Sequence, residues 1–569
     1  MTSSSIRGRA RRGGSHISVR VAHALVGGLV GVVWLVLPGM TVGAGGPVAG
    51  GTDRPVAGAV AQGEDEGTSG TDLVVPMLAV VAATALAGYG FLRRRRRTRE
   101  RTTPGGAAGR GEAEQPVGEL DERARALLVA ADDWVRVGWE ELGFVEGRFE
   151  LEDLAHAGGV EGVDEAGRGE PFARALRDAE AELAVAVRMR CQYEGGVPEE
   201  AAARRHALAG MVGRCEEAGR LLDAQAAALD QVRGLEQGLG GGLGYALVVA
   251  EGRFRELTGR TGGADATLRE LGERYAPSAT DAVAGHVEQA KDRLVFATTR
   301  LNHARQAADS GDNERAAGRL RAAEGAIAQA AVFIDGVERL AANLAMAAAT
   351  VPAALTGGEV EIAGARESLT GARDPYLDVP PGELRARVTH ADIVLALVRE
   401  QLTSGPYDPL DVLRRIVQAV VPVAAGRAGV IAAGALLCAR SAVADADDVV
   451  ATHRAAVGSE ARTRLAEARR LLTPSLSTPT GRTPPPSPAD LLTSDTLAQQ
   501  AHALAEQDIR LHGNPIEGPT DDITGLAGAL LGGVLLGGDP NTAPPATFGG
   551  PRTRGRRGDE RSQRPADRP

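Results

Sequence analysis

The chain has 569 residues, enough for several domains, with only 3% aromatic residues and a net charge of −10. So few aromatics disfavour β-sandwiches and large mixed cores, and favour helices packed through alanine and glycine. Residues 1–72 sum to +1, 93–101 to +6 and 552–569 to +4, leaving −10 − 11 = −21 for the rest, so the charge of the body disfavours nucleic acid as a partner and only the Arg-rich segments suit phosphates.

Residues 1–20 carry five arginines and no acid, and an apolar run follows at 21–37. Pro38 and Gly39 break it, and Val42 and Ala44 supply small residues at the −3 and −1 positions. This layout predicts a secretory signal peptide over 1–44, the alternative being an uncleaved first span. The segment 45–72 has no periodic pattern and is expected to be a flexible extracytoplasmic linker. Residues 73–92 are twenty uncharged, mostly apolar residues, long enough to cross a hydrocarbon core of about 30 Å. Five arginines follow at once: Arg93, Arg94, Arg95, Arg96 and Arg97. Positive residues stay on the cytoplasmic side, so this collar places the N-terminal stub outside and everything after it in the cytoplasm. The expected localisation is the cell membrane, with one pass through the lipid bilayer.

After the basic collar and linker at 93–117, helical patterns dominate a predicted region 118–472. Leu120, Leu127, Leu128 and Trp134 open it on a 3.6-residue stripe. Further helices are predicted at roughly 171–193 and 198–235, with a glycine-rich break at 238–244. The clearest pattern is an antiparallel hairpin over 281–348. Val283, Val287, Ala290, Leu294, Ala297, Leu301, Ala304 and Ala308 alternate in steps of four and three. Leu320, Ala323, Ile327, Ala330, Ile334, Val337, Ala341 and Leu344 do the same beyond a tight turn. Gly311 suits a helix C′ position there, and Asp312 or Asn313 an N-cap. Helices are expected next around 384–402, 410–440 and 443–472. A Pro-rich linker follows at 473–488 and a short helix at 489–511. The last part, 512–569, reads as a Gly-rich apolar segment and a disordered Arg-rich tail, with 523–538 too short to be a span.

The chemical motifs are mostly missing. Lys291 is the only lysine and sits in a helical pattern, so there is no Walker A site. No H-E-x-x-H, G-x-S-x-G or zinc-spaced Cys/His cluster is found. Asp153 with His156, and the trio Asp445, Asp447 and Asp448, are expected to be solvated helix faces rather than metal ligands. Cys191, Cys215 and Cys438 are far apart and are expected to be free thiols. No cofactor, metal or small-molecule substrate is indicated.

The order of parts is similar to that of actinobacterial TPM-domain membrane proteins. The stretches that carry this are FLRRRRRTRERTTPGG at 91–106, GELDERARALLVAADD at 118–133, EQAKDRLVFATTRL at 288–301, SGPYDPLD at 404–411, GSEARTRLAEA at 458–468 and TFGGPRTRGRRG at 547–558. In that family a TPM domain lies between signal and span, where this chain has only a 28-residue linker at 45–72. The resemblance therefore implies a membrane-tethered cytoplasmic helical module, and its phosphatase-like activity has no residues here to rest on. The expectation is an all-α, membrane-anchored cytoplasmic antiparallel helical bundle or coiled coil. It would be a non-enzymatic scaffold or interaction module that binds itself or other membrane proteins. Two other expectations are a subunit of a TPM-type system whose TPM domain lies on another chain, and nucleic-acid binding through the Arg-rich tail.

Overall fold

The computed structural model describes residues 116–156, 168–371, 379–473, 486–512, 525–536 and 543–554, with side chains of the first stretch described as far as 149. The expected signal segment, linker, span and collar, with Arg93, Arg94, Arg95, Arg96 and Arg97, lie outside the described residues, as do the side chains of Asp153 and His156. The described residues all fall in the second of two compact units, 92–569.

The described residues are all-α. The helices are α1 (Val117–His156), α2 (Glu170–Gly195), α3 (Ala201–Arg233), α4 (Gly242–Arg274), α5 (His286–Asp309) and α6 (Asn313–Leu369). They continue as α7 (Pro381–Ser404), α8 (Pro409–Val420), α9 (Gly429–Thr452), α10 (Ser459–Leu472), α11 (Pro488–His512) and the short α12 (Leu526–Leu531). Only an isolated antiparallel bridge, Leu535 with Pro545, departs from helical pairing among the described residues.

The 57-residue α6 is the central pillar, about 85 Å long at 1.5 Å per residue. Alanine, the best helix former, supplies much of it, and Pro352 sits inside on the exposed side. The helix therefore runs on to Leu369, well past the boundary expected at 348. One large core joins α4 to α8, the start of α9 and α12. A second core joins α1, α2 and α3, and a third joins the end of α9 to α10 and α11.

The turn between α5 and α6 follows its sequence chemistry. Gly311 has φ +79°, which favours glycine, and Asp312 N donates back to Ala307 O at 2.9 Å. The Asp312 side chain then caps α6 by accepting from Arg315 N at 3.1 Å. Val287, Leu294 and Leu301 on α5 and Leu320, Ile327, Ile334 and Leu344 on α6 are all buried in the large core. Val283 is buried in the same core but lies on a 3₁₀ turn, Asp281–Val283, before α5 begins.

Two expected boundaries fall elsewhere. The helix predicted over 410–440 is two helices, separated by Val421–Val423 and a loop at 424–428. Glu361 of α6, fully buried, draws that loop in by accepting from Ala425 N at 2.8 Å and Ala428 N at 2.6 Å. The loop can approach because Gly357, Gly358 and Gly364 leave room: a Cβ at Gly357 would sit 2.6 Å from Val430, and one at Gly364 would collide with Arg427. The helix predicted over 443–472 is likewise broken at 453–458, where Gly458 N donates to Asp508 of α11 at 2.8 Å.

Among the described residues, two helices, α6 and α9, are long and apolar enough to cross a membrane by length and composition, a test that the core helix of a packed protein also passes. Both contribute to the packed cores described above.

Candidate functional site

The described residues that sequence reasoning missed form a buried charged junction on one side of α1, closed over by the segment after α11. Arg233, at the end of α3, is 3% exposed and lies between two acids. It donates to both oxygens of Glu324 at 2.6 and 2.8 Å, and to Glu141 of α1. Arg321 reaches Glu141 at 3.4 Å and Asp230 at 3.0 Å. Arg454, 2% exposed in the turn after α9, donates to Glu140 at 2.7 Å. Burial pushes the Glu324 carboxyl up, with Arg233 pulling the other way. Burial also works against the Arg233 charge, but Glu324 and Glu141 outweigh it and hold the guanidinium more firmly protonated than usual.

A second set of charges continues along α1. Arg136 pairs with Asp132 at 2.9 Å and Asp447 of α9 at 2.7 Å. Arg462 of α10 donates to Asp132 and, at 2.7 Å, to Asp133. Burial alone would raise Asp132, yet Arg136 and Arg462 together hold it well below the usual carboxylate range. The trio Asp445, Asp447 and Asp448 is thus half-buried between helices rather than on a solvated face. Asp447 pairs with Arg136 and Arg469, and Asp448 with Arg339. No group of three or more His, Cys, Asp or Glu among the described residues has a metal-holding arrangement.

Next to Asp448 lies a small titratable group. Gly336 of α6 brings the backbone close: a Cβ there would sit 3.0 Å from Asp448 and 3.3 Å from His286. Burial, together with Asp445 and Asp447, raises Asp448 to about 7, against the pull of Arg339. Burial lowers His286 and His453 to about 4, and their rings stand edge-on to Phe333 at 5.1 and 6.5 Å. Arg293, 2% exposed, has no carboxylate partner among the described residues, and burial lowers it to about 10. It donates instead to Gln329 at 2.8 Å and to Thr452 O at the C-terminus of α9, at 3.4 Å, where the helix dipole favours a cation.

The segment after α11 seals these charges as a strap. Gly525 and Gly533, both at positive φ, bracket α12. Gly528 packs on the Arg293 guanidinium, where a Cβ would collide with it. Gly532 O accepts from Gln329 at 2.6 Å and Arg454 at 3.1 Å, and Leu531 O from Ala455 N at 2.9 Å. The chain then doubles back, with Leu536 N donating to Pro544 O and Ala546 N to Val534 O, each at 2.9 Å. Thr547 and Phe548 reach α1: Phe548 N donates to Glu141 Oε2 at 2.6 Å and the Thr547 hydroxyl to the same oxygen at 3.1 Å. Asp223 of α3 accepts from Gly550 N at 2.9 Å, Arg552 N at 3.2 Å, Thr553 N at 3.0 Å and the Thr553 hydroxyl at 2.7 Å. Under the strap, Glu140, Glu141, Arg321, Arg454, Val534 and Ala546 border a cavity of about 20 Å³, near the space one water needs. The peripheral apolar segment expected at 523–538 is thus seated on the bundle from 525 to 536. The expected disordered tail is docked from 543 to 554, because two carboxylates satisfy its backbone N–H groups.

The three cysteines are free. Burial raises Cys191 to about 11 and Cys215 and Cys438 to about 12. The buried carboxylates here accept hydrogen bonds from arginines and amides, so this junction holds segments together.

No protein-family model matches the chain, and no solved structure matches it. The chain is similar to UPF0603 proteins from two strains of Mycobacterium tuberculosis, 29% identical over 434 residues, covering 74% of this chain and 62% of each relative. It therefore spans about three fifths of the length of the curated relatives it matches.

Proposed function

We propose that this chain is a membrane-tethered helical module whose work is to bind other proteins, itself included, rather than to catalyse a reaction. The observation that carries this reading is an uncharged, exposed helix face. Between Arg339 and Glu359, α6 has no charged residue, and Ala345, Met346, Ala349 and Ala353 along it are exposed. Ile393 and Leu397, one turn apart on the neighbouring α7, are about half exposed as well. Apolar side chains left in water mark places where another surface docks. In this reading the tether is the apolar run 73–92, and the collar Arg93, Arg94, Arg95, Arg96 and Arg97 faces the cytoplasm.

Crosslinking the membrane-embedded protein in cells, followed by mass spectrometry, tests this reading. Adducts from 340–358 and 393–397 to one recurrent partner, or to the chain itself, support it. If those segments return only abundant bystanders and the purified protein is monomeric, the reading is wrong.

A second reading is that the chain works as the helical subunit of a TPM-type system whose TPM domain lies on another chain. The similarity to relatives longer than the matched stretch favours it. Co-purification of a chain carrying a TPM domain would support it, and its absence from the crosslinked material would remove it.

A further inference from the structure

We propose that the groove between α1 and α3 is a peptide-recognition site, and that it accepts the Thr547–Arg554 segment of a second copy as well as of its own chain. This does not rest on the exposed face of α6.

The groove reads a backbone. Glu141 and Asp223 between them take four main-chain N–H groups, of Phe548, Gly550, Arg552 and Thr553, and two hydroxyls, of Thr547 and Thr553. It also selects side chains. Phe548 is 2% exposed, edge-on to Phe172 at 6.4 Å, above Gly138, whose missing Cβ would come within 3.3 Å of its ring. Gly550 lies directly on Gly219, where a Cβ would collide with Gly219 O. A Cβ at Gly219 would in turn sit 2.7 Å from both Pro551 and Trp134. The α3 backbone thus excludes a side chain at 550, and Pro551 together with Trp134 of α1 excludes one at 219. An occupant must carry phenylalanine, glycine and proline in the order of residues 548–551, which argues for the same sequence rather than an unrelated peptide.

The connections allow exchange. The strap joins α11 only through 513–524, twelve residues that reach at most about 40 Å. This step rests on the tether proposed above: copies anchored in one bilayer would share a thin layer, which raises the concentration of second grooves around a released strap. Exchange of this kind ties copies together without any new contact surface, because the intermolecular bonds are those already made within one chain.

The test uses the full chain in membranes and two exposed positions, Arg220 on α3 beside Gly219 and Arg552 on the strap, whose backbone N–H donates to Asp223. An R220C/R552C chain treated with a short bis-maleimide should link within one molecule, which shows that the strap occupies its groove. An R220C chain and an R552C chain expressed together should then link to each other. Adding F548A to the R552C chain should reduce that intermolecular product at least tenfold. The proposal fails if the double variant links internally but the two single variants give no heterodimer. It also fails if the heterodimer forms equally well with F548A, since the contact would then not pass through the groove.

Discussion

Replacing Arg233 by methionine tests the buried junction directly. Arg233 is 3% exposed and bonds both oxygens of Glu324, which is itself 4% exposed. Methionine fills much of the space but leaves Glu324 without its cation. A buried carboxylate in that position stays charged only at high cost, so it takes up a proton instead. Its ordinary value is 4.5, and burial already pushes it upward. Holding it protonated at pH 7 costs 2.5 units, about 3 kcal/mol at 1.36 kcal/mol per unit. That penalty should shrink by about 1.4 kcal/mol for each pH unit below 7 and nearly vanish near 4.5. The sign follows from the folded variant binding a proton that the unfolded chain does not hold at pH 7. Urea unfolding of wild type and R233M, followed by circular dichroism at several pH values between 5 and 8, measures the difference. An R233M/E324L double variant should recover most of the loss at pH 7. A loss independent of pH, or below about 0.5 kcal/mol at pH 7, would refute the argument.

Truncating Ile327, 1% exposed in the α5–α6 hairpin, to alanine should cost about 2–5 kcal/mol in the same unfolding assay. His286 and His453 are lowered to about 4, so their contribution is present above the ordinary 6.5 and is lost as pH falls toward 4. Each should cost about 2 kcal/mol by pH 5, and an H286Q/H453Q variant should lose about 4 kcal/mol less than wild type between pH 7.5 and 5. Asp448, raised to about 7, acts in the opposite sense: its contribution is complete below the ordinary 3.8 and is lost as pH rises through 7. D448N should therefore gain on wild type in unfolding experiments as pH rises from 6 to 8. Alkylation by iodoacetamide at pH 8, followed by mass spectrometry, should label Cys191 slowly, and Cys215 and Cys438 only when the chain unfolds.

The α5–α6 hairpin was legible because its signals are local. Steps of four and three residues, a glycine at the turn and an aspartate after it specify two helices and their connection. The breaks after Val420 and Thr452 had local signals, Pro422 and Gly426 in the first and Gly458 in the second, which the helical periodicity on either side outweighed in the sequence reading. What holds the loops in place is remote: Glu361 bonds the amides of Ala425 and Ala428, and Asp508 bonds Gly458 N. The charged junction was hidden because its partners are remote too. Arg233 and Glu324 are 91 residues apart, and neither differs from a surface residue in the spacing of its neighbours. The strap has no period at all, yet it held one signal, a phenylalanine in a Gly/Pro stretch of a chain with only eight.

The strap also sets an order of events during synthesis. Glu141 receives the amide of Phe548 from 407 positions later in the chain. At about 5–20 residues per second, the ribosome takes about 20–80 s to cover that distance. Through that interval α1 presents Glu141 and Asp132 near a half-formed junction whose last donors are still untranslated. The α1–α3 lobe can assemble early, but its charges are closed in only when the strap emerges. A stalled or shortened product without the strap would therefore leave Glu141 and Asp223 without these amide donors and the groove open to water.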